Sequence, residues 1–176
     1  CLPAASVRAS LRTRNWLLYS SDRAGKPQAF RMDLKTGESD QLTDGEDLDG
    51  NSVCLLGDER SFCYFDGASL RQRDFSNLRE REIYRIPGGW GRGPGLSASA
   101  DGRYAVFLET RGKAFRLRLL AIGRGSATTL VESEAELSCL APGPRRAGIL
   151  YRRGQDALWL VNYDGPCENL HGHNWL

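Results

Sequence analysis

The sequence predicts an all-β fold made of repeated four-stranded units. It contains a repeat of about 44 residues, four short strand-like segments in each repeat, and many turn residues, with 20 Gly and 7 Pro among 176 residues. A period of this length with four strands is typical of the β-propeller blade, which buries its faces by stacking on its neighbours. We therefore predict a single β-propeller domain of four antiparallel blades.

The repeat is marked by one aromatic anchor in each blade. The anchors lie in short apolar runs and are spaced by 45, 43 and 44 residues; they are Tyr19, Tyr64, Phe107 and Tyr151. From this spacing we expect blades at about 1–47, 48–92, 93–134 and 135–176.

Each blade is predicted to contain four strands in the same order. The first strands span 7–11, 52–56, 95–99 and 137–141. The second strands carry the anchors and span 16–20, 61–65, 104–108 and 148–152. The third strands span 30–34, 70–75, 115–121 and 157–163, and the fourth span 41–43, 83–86, 128–131 and 169–171. Asp101-Gly102 separates two strands of the third blade, where it predicts a tight hairpin turn.

The five cysteines form no CxxC pair and no spacing typical of a zinc site. A two-residue turn at 58–59 would place Cys54 directly opposite Cys63 at a non-hydrogen-bonded position, where opposed side chains are close. This pairing allows a cross-strand disulfide or two buried thiols, and we favour the thiols. Cys1 is either the lipid-modified first residue of a mature bacterial lipoprotein or an arbitrary chain start.

Charge, hydropathy and missing motifs exclude several function classes. The 24 Lys and Arg are intermixed with 22 Asp and Glu, so no basic stripe predicts nucleic-acid binding. No apolar run approaches the ~20 residues of a transmembrane helix. The sequence contains no phosphate-binding loop, serine-nucleophile elbow, zinc-protease motif or dinucleotide fingerprint.

The first blade resembles the TolB-type β-propeller repeat, through residues 18–38 and the following Gln41-Leu42-Thr43-Asp44-Gly45. The last blade repeats this pattern over 157–165. Within the same superfamily, residues 82–90 and the hairpin at 99–104 resemble oligogalacturonate lyase. The resemblance implies a propeller protein in the periplasm or secreted from a bacterium, with the cytoplasm as the alternative.

The lyase resemblance also implies a manganese site built from histidines and a glutamine. The two histidines of the chain, His171 and His173, match the spacing of that ligand cluster, with Glu168 where the lyases use Gln. Histidines one residue apart on a strand point to the same face and could share a divalent metal with Glu168. The segment 137–142 lacks the further histidine expected there, so we favour a chain end without metal. We expect no cofactor unless the chain is lyase-like, in which case manganese is expected.

Two tryptophans and an arginine are the candidate ligand-binding residues. Trp90 and Trp175 have glycine-rich, loop-like surroundings and could stack on a sugar ring, while Arg92 could pair with the carboxylate of an acidic sugar. We predict that residues 88–95 form a flexible connection between the second and third blades.

These observations favour a non-catalytic scaffold that binds a protein or a carbohydrate. One alternative is a metal-dependent lyase that cleaves acidic pectin oligosaccharides by β-elimination, and another is an engineered or truncated scaffold. Four blades are few for this superfamily, and apolar sheet faces do not stay exposed to water. We therefore expect either a fragment of a larger propeller or a homodimer that closes an eight-bladed ring.

Overall fold

The computed structural model describes residues 15–57, 59–142, 148–154, 157–161 and 167–169. Every regular element in these ranges is a β-strand, as the sequence predicts. The same ranges contain no helix long and apolar enough to cross a membrane. The chain divides between Arg85 and Ile86 into two compact units.

The first unit contains two antiparallel sheets in which consecutive strands are neighbours. The first sheet is formed by β1 (Trp16–Ser21), β2 (Gln28–Asp33) and β3 (Ser39–Gln41). The second sheet is formed by β4 (Cys54–Leu55), β5 (Ser61–Asp66), β6 (Ser69–Asp74) and β7 (Glu80–Arg85).

The second unit contains two four-stranded sheets with the same simple up-and-down order. The third sheet is formed by β8 (Gly91–Ala98), β9 (Tyr104–Arg111), β10 (Ala114–Ala121) and β11 (Ser126–Ser133). The fourth sheet is formed by β12 (Leu137–Pro142), β13 (Ile149–Arg153), β14 (Ala157–Val161) and β15 (Cys167–Asn169).

The predicted repeat is found as four consecutive antiparallel sheets. The anchors Tyr19, Tyr64, Phe107 and Tyr151 lie on β1, β5, β9 and β13. Three sheets have the four predicted strands, and the first has three within the described residues. The strand predicted at 7–11 lies outside those residues, as does Cys1.

Each unit has its own hydrophobic core, in which one sheet packs on the next. In the first unit, Leu18 and Ala29 of the first sheet pack with Phe62 and Tyr64 of the second. In the second unit, residues from β9 and β10 pack with residues from the fourth sheet: Val106, Leu108, Leu117 and Leu119 with Leu137, Ile149, Tyr151 and Val161. Burial of one such Leu or Phe side chain contributes about 1.5–3 kcal/mol, so stacking of sheet faces stabilises both units.

Strand β8 begins at Gly91, so the prediction of a flexible connection over 88–95 is wrong for residues 91–95. Arg92 pairs with Glu109 of β9, and the register then shifts before Leu96 pairs with Phe107. A Cβ atom at Gly93 would lie 2.7 Å from the Leu108 Cβ atom. The missing side chain of Gly93 therefore lets this strand approach β9 closely around a β-bulge.

The hairpin that contains Cys54 and Cys63 has the predicted register. Cys54 pairs with Cys63 and Leu55 with Phe62. Both cysteines are free thiols, as favoured, but only Cys63 is buried. The Leu56 amide donates to the Ser61 carbonyl, so the alternation of pairs puts Cys54 and Cys63 at a hydrogen-bonded position and not at the expected non-hydrogen-bonded one.

Candidate functional site

Trp90 lies just before β8, where two arginine side chains meet its ring. The backbone turn from Pro87 to Trp90 is closed by a 3.1 Å hydrogen bond from the Trp90 amide to the Pro87 carbonyl. The Arg116 guanidinium carbon lies 3.8 Å from the centroid of the Trp90 ring, and that of Arg111 lies 4.6 Å from it. These are cation–π distances, and they fix both guanidinium groups against the half-buried indole.

A row of alternating charges crosses the third sheet beside this ring. Arg92 is opposite Glu109, Glu109 is opposite Arg116, and Arg116 is opposite Glu132. Directly opposed residues in an antiparallel sheet have Cβ atoms about 5 Å apart. Arg92 and Arg116 therefore lie on the face of the sheet that carries the buried Glu109.

Glu109 is fully buried, and two arginines neutralise it. It forms a hydrogen-bonded ion pair with Arg116, and its Oε2 atom lies 3.7 Å from Nε of Arg118. The Arg118 guanidinium also donates to Thr129 Oγ1 and, over 3.0 Å, to the Ala127 carbonyl. Because a buried charge is tolerated only when it is paired, this network fixes the position of Arg116 below Trp90.

Arg111 is the exposed member of this group, and its chemistry suits a carboxylate ligand. A guanidinium that stacks on an aromatic ring uses its flat face, whereas its N–H donors point outwards in the plane of the group. Arg111 can thus stay on Trp90 while its edge meets a planar anion in bidentate fashion. We call Trp90, Arg92, Arg111 and Arg116 the Trp–Arg cluster.

The structure brings together two of the predicted ligand residues, Trp90 and Arg92, at the start of β8. The third, Trp175, lies outside the described residues, as do the predicted metal ligands His171 and His173. Glu168 lies on β15, for which the structure describes the backbone only. Within the described ranges, no group of three or more His, Cys, Asp and Glu side chains could hold a metal ion.

Sequence reasoning missed Glu109, Arg111 and Arg116. The alternation of Arg116 and Arg118 with Leu117 and Leu119 is a signal that both arginines share the face opposite the apolar side chains. Their partner Glu109 and the stacking of Arg111 depend on the strand register and on the rotamer of Trp90, which no local pattern shows.

A groove at the opposite end of the third sheet is a second feature that the sequence did not indicate. Its volume is about 700 Å³, which is in the usual range for small-ligand pockets. Two hairpin turns and the ends of the adjoining strands line it, with Arg103, Tyr104, Leu119, Arg124 and Thr128 among the lining residues.

A further charged cluster lies on the second sheet of the first unit. The hydroxyl of the buried Tyr64 donates to Glu80, and Arg71 forms an ion pair with the same carboxylate. Burial, together with the Glu80 hydrogen bond, raises the pKa of Tyr64. The tyrosine therefore stays protonated at neutral pH and serves as a hydrogen-bond donor that holds Glu80 in place.

Comparison with solved structures identifies the fold. An oligogalacturonate lyase from Vibrio parahaemolyticus superposes with a TM-score of 0.77 and 22% identity, over 88% of this chain and 48% of the lyase. An oligogalacturonate lyase in complex with manganese superposes with a TM-score of 0.78 and 22% identity, over 88% of this chain and 49% of that lyase. TolB from Acinetobacter baumannii superposes with a TM-score of 0.64 and 17% identity, over 88% of this chain and 42% of TolB.

The chain has a TolB-like β-propeller fold. It spans about half the length of the lyases that it matches, and identities of this size establish the fold alone. The chain matches no protein-family model and no curated protein sequence.

Proposed function

We propose that this TolB-like propeller binds an acidic carbohydrate, without cleaving it, at the Trp–Arg cluster. The observation that carries the proposal is the stacking of the exposed Arg111 on Trp90, 4.6 Å from the ring centroid, at the sheet end where β8 with Arg92 begins. Sugar carboxylates are planar anions that a guanidinium edge binds through two hydrogen bonds.

The likeness to oligogalacturonate lyases supports the choice of ligand, since the ligand of those proteins is an acidic sugar chain. Within the cluster, Arg116 is already paired with Glu109 and contributes mainly by positioning the indole. Arg111 is the residue that we expect to meet a carboxylate, and Arg92 lies at the same end of the sheet. The periplasmic or secreted location implied by the resemblance stays a prediction.

Calorimetric titration of the full chain with trigalacturonate tests the proposal, with its fully methyl-esterified form as the neutral control. We expect the acid to bind and the ester to bind far more weakly. Arg111→Gln should lower the affinity for the acid about tenfold or more, because a charge-assisted hydrogen bond contributes about 1.5–3 kcal/mol.

The matched control is Arg124→Gln, which removes another exposed arginine from the opposite end of the same sheet. This variant should bind like the unchanged chain. Equal binding of acid and ester, or full affinity in Arg111→Gln, would contradict the proposal. A loss confined to Arg124→Gln would move the binding site to the groove.

A lyase that uses Glu168, His171 and His173 to hold manganese is the second candidate, which the likeness to a manganese-bound lyase favours. Its test is the ultraviolet absorbance of an unsaturated uronide after addition of Mn²⁺ and oligogalacturonate. Product that disappears in the double variant His171→Ala, His173→Ala would establish the lyase. Binding without product would favour the scaffold.

A further inference from the structure

Cys54 and Cys63 are direct cross-strand partners on β4 and β5. The Leu56 amide donates to the Ser61 carbonyl over 3.0 Å, one pair nearer the turn than Leu55 and Phe62. Since antiparallel pairs alternate, the two cysteines occupy a hydrogen-bonded position, where Cα atoms are about 5.5 Å apart. This Cα separation is within the range of about 4.4–6.8 Å that disulfides span, and the Cβ atoms, about 5 Å apart in such a pair, need to approach only slightly to reach the roughly 3.5–4.5 Å of a disulfide.

The two thiols differ in their access to solvent. Cys63 is fully buried, whereas Cys54 is half-buried. A hydrogen bond to the Cys54 thiol, together with burial, raises the pKa of Cys63. The side chains are therefore in contact, and Cys54 is the one that a dissolved reagent can reach first.

We propose that Cys54 and Cys63 form a reversible cross-strand disulfide when the chain meets a low-molecular-weight disulfide as oxidant. The Cys54 thiolate attacks one sulfur of the oxidant, which forms a mixed disulfide and releases one thiolate. Cys63 then loses its proton and attacks the Cys54 sulfur, which releases the second thiolate. Two protein thiols become one disulfide, while the oxidant takes up two electrons and leaves as two thiols.

The disulfide would stabilise the pairing of the short strand β4 with β5. Strand β4 has only two residues and is joined to β5 by a short hairpin. A disulfide across such a hairpin removes conformations from the unfolded chain without changing the register. The expected result is a rise in Tm of about 5–8 °C for the oxidised chain.

Peptide mapping tests the link on the unchanged chain. The reduced protein is incubated with oxidised glutathione, remaining thiols are blocked with iodoacetamide, and the chain is cut with trypsin. Trypsin cleaves after Arg60, between the two cysteines, so the bond appears as peptide 36–60 joined to peptide 61–71. The intact mass should fall by the two hydrogens lost, and dithiothreitol should restore it.

The control is Cys54→Ser, which removes the accessible thiol at a half-buried position. This variant should give neither the linked peptides nor the rise in Tm. A glutathione adduct that persists on Cys54 of the unchanged chain, a link from Cys54 or Cys63 to Cys1, Cys139 or Cys167, or no oxidation at all would overturn the proposal. The readout does not depend on ligand binding, so it is independent of the proposed function.

Discussion

Leu78 and Gly37 hold the same left-handed backbone position in equivalent turns of the second and first sheets. Their φ angles are 53° and 75°. The amide of each residue donates to the carbonyl four positions earlier, Leu78 to Asp74 over 3.1 Å and Gly37 to Asp33 over 2.8 Å. The turn therefore requires a positive φ whichever residue occupies it, and glycine meets that requirement without steric cost.

We predict that Leu78→Gly stabilises the chain. A branched side chain in the left-handed region costs roughly 1–2 kcal/mol, and the extra freedom of glycine in the unfolded chain offsets part of the gain. The expected net increase in the free energy of unfolding is about 0.5–1 kcal/mol by denaturant titration.

The matched control is Leu34→Gly, since Leu34 is also an exposed leucine in a turn but has no positive φ. That variant should gain no stability. A Leu78→Gly protein that is less stable than the unchanged chain would show that the Leu78 side chain matters more than its backbone strain.

This turn also shows what the sequence can and cannot predict. The repeat was visible because aromatic anchors and alternating strands return at a constant spacing, and each pattern reflects burial on a sheet face. The sequence around Leu78 gives no such signal, because a positive φ is predicted at glycine and not at leucine. Strand β8 was missed in part for a related reason, since the glycines that suggested a loop are needed for its close approach to β9.

The candidate site was also predictable only in part. Trp90 and Arg92 were found because of their residue types and their glycine-rich surroundings. Arg111 and Glu109 were missed because their roles arise from the strand register and from burial by residues distant in sequence. A local pattern can indicate which face a side chain takes but not which neighbour it meets there.

Asp33 and Asp74 make these turns sensitive to acid. The Asp33 carboxylate accepts from the Lys35 and Thr36 amides, and these bonds lower its pKa. The Asp74 carboxylate accepts from the hydroxyl and amide of Ser76, with the same effect on its pKa. Each group thus stabilises the fold above its unfolded pKa of 3.8, and this contribution disappears as the pH falls through the lowered folded value.

We therefore expect Asp74→Asn to be less stable than the unchanged chain at neutral pH, with a difference that shrinks on acidification. Denaturant titrations at several values between about pH 6 and pH 2 measure it. Asp33→Asn should show the same trend, because the Asp33 carboxylate likewise accepts from the amides two and three residues further along the chain. A stability difference that stays constant over this range would contradict the role of the ionised carboxylate.

Among the charged residues of the second unit, we expect substitution of Glu109 to lower the free energy of unfolding most. Glu109→Gln keeps the size of the side chain but leaves Arg116 and Arg118 without their buried counter-charge. Breaking a buried ion pair from one side typically costs about 3–5 kcal/mol, and the remaining amide oxygen makes a value near 3 kcal/mol reasonable. Thermal unfolding and denaturant titration check the loss.

The exposed Glu132 in the same row provides the control for this prediction. Glu132→Gln should change the free energy of unfolding by less than about 0.5 kcal/mol, as is usual at exposed positions. Equal effects of the two substitutions would mean that burial does not distinguish the two carboxylates.

The mass of the chain in solution tests the predicted homodimer. Propeller sheets bury their faces on neighbouring sheets, and large apolar faces are rarely left in water. This chain has four consecutive sheets and about half the length of the lyases that it matches. In the predicted homodimer, two copies related by a two-fold axis would supply eight sheets.

Light scattering after size exclusion should then give about twice 19.5 kDa, and the dimer should dissociate on dilution with a single Kd. A mass of one chain at every concentration would contradict the dimer and would favour the alternative, a fragment of a larger propeller. Trigalacturonate titration of each species would show whether the Trp–Arg cluster needs the second copy. If monomer and dimer bind equally well, the cluster is complete within one chain.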